Sequence, residues 1–90
     1  LYGAEAKYLV ALQLYKAHEY AAAEKEILNF IEQSTPHAYW LARSFILLSD
    51  VYVSMDKKLD ARQYLLSLQQ NYHADDDIEQ MINERLEKLK

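Results

Sequence analysis

The stretch at residues 39–61, YWLARSFILLSDVYVSMDKKLDA, constrains this chain more than any other. Leu41, Phe45, Leu48, Val51, Tyr52 and Met55 recur at helical spacing and make one broad apolar stripe. The opposite side is apolar too, with Ile46, Leu47 and Val53. A helix apolar on nearly all sides is one buried between several neighbours. Ala42 and Ser49 are small enough to let a second helix come close. Asp56, Lys57 and Lys58 then break the pattern, and Leu59, Leu65, Leu66, Leu68 and Tyr72 resume it in another phase. A polar interruption of that length suits the turn between two antiparallel helices.

The remainder reads the same way. The spacing predicts helices over about residues 4–17, 20–33, 36–54, 59–72 and 75–89. Ala23, Ile27, Phe30 and Ile31 mark one face of the second. Residues 34–36 (Ser-Thr-Pro) form the clearest break, where Thr35 can cap the third helix and Pro36 suits its first position. Ile78, Met81, Ile82, Leu86 and Leu89, with the aliphatic stem of Arg85, give the last helix a narrow apolar stripe and leave its other side charged. One Gly and one Pro in 90 residues exclude a turn-rich sandwich or barrel, so the expectation is a single all-α domain over residues 1–90.

Composition removes several functions. There is no cysteine, hence no disulfide framework and no Cys-ligated zinc. The formal net charge is −4 and no basic run exceeds two residues, which disfavours nucleic acid. No window of apolar residues is long enough for a membrane span. The chain starts at Leu1 and carries no signal-peptide pattern, so it reads as a piece of something longer.

The first two predicted helices superpose on the third and fourth. Leu14 and Tyr52, Ala11 and Ser49, Ala23 and Ala61, and Ile27 and Leu65 each stand 38 residues apart. Each copy has a small residue midway along its first helix and an Ala in the first turn of its second, as a close antiparallel crossing requires.

These residues resemble tetratricopeptide repeats, whose pattern is W-x2-L-G-x2-Y, then a G-x-Y turn, then A-x3-F. The second copy matches at Leu48, Ser49 (in the Gly place), Tyr52, Ala61 and Leu65 (in the Phe place). The first matches at Val10, Ala11, Leu14 (in the Tyr place), Tyr20, Ala23 and Ile27. His18 replaces the turn Gly, Leu59 falls one position late, and the period of 38 exceeds the family's. A closer resemblance is to bacterial repeat proteins of Gram-negative envelopes, through Tyr39-Trp40, Ala42-Arg43-Ser44, Leu47-Leu48, Asp50 and Tyr52. The resemblance implies an α-solenoid of antiparallel helix pairs: one repeat over about 4–35, a second over about 36–73, and a capping helix over about 76–89. It also implies a periplasmic or envelope location.

In that family the first helix of each repeat lines a concave groove. Carried over, the groove positions are Glu5, Tyr8, Leu12, Tyr15 and Lys16 in the first copy, and Arg43, Ile46, Asp50, Val53 and Ser54 in the second. Such a mixture of aromatic, aliphatic and charged side chains suits an extended peptide or a docked helix. The competing reading is that Tyr8, Leu12 and Ile46 merely pack on neighbouring helices. The expected function is a non-catalytic protein-interaction scaffold, without cofactor or metal. The alternatives are a self-assembling structural element and an accessory domain of a larger enzyme.

Other features have plainer readings. The acids at 75–77 lack the alternate spacing, Gly and terminal Glu of a calcium loop, and fit a helix N-terminus. His18, His37 and His73 fall in separate loops without metal-ligand spacing. Most of the eight Tyr read as helix-packing residues with the hydroxyl at the surface, and Trp40 as a contact between repeats. The two ends differ. Glu79, Glu84, Glu87, Lys88 and Lys90 give the last helix a polar outer face. Tyr2, Leu9, Leu14, Tyr20 and Ile27 leave the first helix pair too apolar to cover itself, which predicts stacking on a further repeat or, in isolation, a homodimer through this face.

Overall fold

The computed structural model describes residues 3–32, 38–74 and 76–89, with the backbone alone at Ala4. Among these residues it is all-helical: α1 (Ala4–Lys16), α2 (Tyr20–Glu32), α3 (Ala38–Ser54), α4 (Lys58–Asn71) and α5 (Ile78–Lys88). The break at 34–36, with its Thr35 cap and Pro36, lies outside the described residues, as do His37 and Asp75. No helix among the described residues is long and apolar enough to cross a membrane.

The α3 helix packs against each of the other four, which is why its apolar residues surround it. Ala42, Ile46, Leu47, Leu48 and Val51 are all at most 3 % exposed, and together they face in several directions. The backbones of α1 and α2 approach each other and α3, while α5 packs on α3 and α4. Two apolar clusters result. The larger joins Tyr8, Ala11, Ala23 and Ile27 to Leu48, Val51 and Tyr52, and reaches Ala61. The smaller gathers Ala42, Ile46, Leu65 and Leu68 around Ile78 and Ile82 of α5.

The small residues lie where helices cross. Ala23 and Ala61 are each 0 % exposed, with Ala11 and Ser49 at 2 % and 1 %. The buried Ser49 hydroxyl donates to the Ile46 carbonyl at 2.6 Å, and that of Ser44 to Trp40 at 2.9 Å, so each polar atom is satisfied within its own helix. Trp40 packs across the helix pairs, its ring 5.5 Å from that of Tyr8.

Both hairpin turns are closed by the same pair of backbone bonds. The Glu19 N–H donates to the Leu14 carbonyl at 2.9 Å and the His18 N–H to Tyr15 at 3.0 Å. The Lys57 N–H donates to Tyr52 at 2.7 Å and the Asp56 N–H to Val53 at 3.1 Å. These are the paired six-to-one and five-to-two bonds of a Schellman motif, whose turning residue takes a left-handed backbone. His18 and Asp56 do so, with φ of 63° and 61°. The residue after each then starts the next helix: the Glu19 carbonyl accepts from Ala23, and the Lys57 carbonyl from Ala61. Each of these three bonds of the second turn is displaced from its counterpart in the first by the same 38 residues that separate the apolar positions.

The last helix begins at Ile78, after the acids that the sequence places in its opening turn. Asp76 still serves the helix start, because its carboxylate accepts the Ile78 N–H at 3.0 Å. Ile78 and Ile82 are buried, while Glu79, Glu84, Glu87 and Lys88 are exposed on the other side.

Candidate binding groove

A cleft of about 520 Å³ opens beside α3. Tyr15 reaches it from the last turn of α1. Ser49, Asp50, Val53 and Ser54 come from α3, and Lys58 and Leu65 from α4. Glu84, Arg85 and Lys88 come from α5, with Leu89 just beyond it. The elements meet there because α1 and α5 both pack on α3.

At its centre Arg85 grips Asp50 with two parallel bonds, Nε to Oδ1 at 3.0 Å and Nη2 to Oδ2 at 3.1 Å. Arg85 Nη1 also donates to the Met81 carbonyl at 3.3 Å, which fixes the guanidinium against its own helix. Each side chain of the pair remains 26 % exposed. Such fork-to-fork geometry holds two long side chains in one orientation. The pair is internally neutral, which leaves Lys58, Lys88 and Glu84 as the remaining charges of the lining. Val53 is 38 % exposed and supplies apolar surface beside Tyr15.

Nine of the ten groove positions carried over from the resemblance, all but Arg43, divide into three groups. Tyr15, Asp50, Val53 and Ser54 line this cleft. Tyr8 and Ile46 are only 7 % and 1 % exposed, and Leu12 is half-buried against the larger cluster, so these three pack on neighbouring helices, as the competing reading has it, and do not line the cleft. Glu5 and Lys16 are exposed on α1 and do not line the cleft.

Arg43 is half-buried and engaged by tyrosines. Its Nη1 donates to Tyr39 Oη at 3.0 Å and its Nη2 to Tyr8 Oη at 3.2 Å. Its guanidinium carbon lies 5.1 Å from the Tyr8 ring centre, 5.8 Å from Tyr39 and 5.9 Å from Trp40. Burial works to lower the Arg43 pKa, but the Tyr39 and Tyr8 hydroxyls outweigh it and hold the pKa above its ordinary value. Tyr39 Oη donates onward to Asp77 at 3.0 Å. Arg43 therefore ties α1 to α3 and, through Tyr39, to the start of α5.

Sequence reasoning missed the α5 side of the cleft. The sequence gives Arg85 only an aliphatic role, although Asp50, the single acid of α3, signals a basic partner somewhere in the fold. Among the described residues no three His, Asp or Glu side chains converge as metal ligands would. His18 Nδ1 lies 2.7 Å from Tyr20 Oη, and His73 Nε2 lies 3.0 Å from the Gln70 carbonyl, each in its own turn. Comparison of the chain with models of known protein families, with curated proteins and with solved structures finds no match.

Proposed function

We propose that this chain is a two-repeat, tetratricopeptide-like α-solenoid module with a capping helix, and that it holds a segment of a partner protein in the cleft between α1, α3 and α5. The observation that carries the reading is convergence. Four side chains expected in a groove, Tyr15, Asp50, Val53 and Ser54, line one opening together with α5. The recurrence of one turn geometry at an offset of 38 supports two like units. The locked Asp50–Arg85 pair offers a preorganised polar floor, which lowers the ordering cost of binding. Tyr15, Val53, Leu65 and Leu89 offer apolar surface, and Lys58 and Lys88 favour an acidic group on the ligand. The fitting partner is thus an extended or helical segment with an apolar side chain flanked by an acid.

Panning a random peptide library against the 90-residue chain tests this. A selected peptide should lose affinity about tenfold or more on Tyr15→Ala and on Val53→Asp. Lys25→Ala, on the exposed side of α2, should leave affinity within about twofold, with circular dichroism unchanged throughout. Equal losses from all three variants would place binding elsewhere.

A further inference from the structure

Leu9 and Val10 of α1 are 46 % and 50 % exposed, whereas Leu47 and Leu48, 38 residues on, are 3 % and 0 % exposed. The difference does not arise from how each helix sits in its own hairpin. Both hairpins turn through the same bonds, and Ala23 and Ala61 are equally buried. The same helical face is therefore covered in α3 and uncovered in α1. In α3 the cover is the α1–α2 hairpin, whose Tyr8, Ala11 and Ile27 share a cluster with Leu47, Leu48 and Val51.

We propose that the outer face of α1 docks a helical hairpin from outside these 90 residues, seated as α1–α2 sits on α3. Ala6, Leu9, Val10, Gln13 and Ala17 recur at three- and four-residue spacing, so they share one stripe that a packed helix can cover. A lone exposed Leu needs no explanation, but an apolar stripe equivalent to a buried one does. Two differences define the occupant. Glu5 stands where Arg43 stands, so the occupant brings a hydrogen-bond donor where Tyr8 offers Arg43 an acceptor. Gln13 stands where Val51 stands, so a polar group faces it. An intact second copy cannot reproduce the packing, because its own α1–α2 hairpin is already seated on its own α3.

The test compares the 90-residue chain with a tandem form in which residues 1–38 are repeated ahead of Leu1, which preserves the 38-residue spacing. The 90-residue chain should be monomeric by light scattering, in place of the homodimer that the sequence alone predicts, and Leu9→Asp with Val10→Asp should lower its melting temperature by no more than about 4 °C. In the tandem form the downstream Leu9 and Val10 amides should exchange at least about tenfold more slowly than in the 90-residue chain. The same two substitutions in the downstream copy should lower its melting temperature by about 8 °C or more. Unchanged exchange in the tandem form, or equal tolerance of the substitutions in both forms, would overturn the proposal. So would a dimer of the 90-residue chain that Leu9→Asp dissociates, since a second copy would then be the occupant.

Discussion

His18 and Asp56 hold the same left-handed backbone, φ 63° and 61°, at equivalent positions of two helical hairpins. Neither is glycine, the residue that takes this conformation without steric cost. Asp56→Gly should therefore stabilise the fold by about 0.5–1 kcal/mol in denaturant unfolding. His18→Gly should gain less, because it also removes the 2.7 Å contact between Nδ1 and Tyr20 Oη. Asp56→Val should destabilise, since a β-branched side chain suits this backbone least.

The two fully buried alanines respond to size. Ala23→Leu and Ala61→Leu, each introduced where an alanine is 0 % exposed, should overpack their helix crossings and cost about 1–3 kcal/mol each. Thermal melts check this, and unchanged melting in both variants would rule out close crossings at these positions.

Arg43 acts through stability. Arg43→Ala removes both tyrosine bonds and the ring contacts, and should cost about 1–3 kcal/mol in unfolding free energy. Arg43→Lys should recover little of it, because one ammonium cannot span two hydroxyls as the guanidinium does. Recovery to the native value would mean that charge alone matters there.

Helix positions were legible in the sequence because periodicity and the scarcity of Gly and Pro left few alternatives. Residues 56–58 marked the second turn by polarity alone. That the chain turns left at Asp56 was hidden, because a non-glycine residue in this conformation carries no strong sequence signal. The Asp50–Arg85 pair was hidden for another reason. Its members stand 35 residues apart, and only the docking of α5 on α3 brings them together. Tyr8 was ambiguous by chemistry, since a tyrosine has an apolar body for a core and a hydroxyl for a surface. The structure uses both halves, burying the ring and offering the hydroxyl to Arg43.

Alkali should unfold the protein through its tyrosines. Burial, then the hydrogen bond to Asp76, pushes the Tyr72 pKa from 10.0 up to about 12. Burial, then Glu24, raises that of Tyr52 further. A folded pKa above the unfolded one gives stability that is complete below the unfolded value and lost as pH rises through the folded value. Stability should hold to about pH 10 and fall between pH 10 and 12. Tyr72→Phe should flatten that fall, and a decline of unchanged steepness would exclude Tyr72 as a contributor.

The cleft itself is tested most directly by amide chemical shifts. The uniformly ¹⁵N-labelled 90-residue chain is titrated with a peptide selected from a random library. The amides of Tyr15, Val53, Ser54 and Lys88, which line the cleft from three helices, should shift together and saturate with one affinity. Shifts confined instead to Ala22, Lys25 and Asn29 on the exposed side of α2 would contradict binding in the cleft.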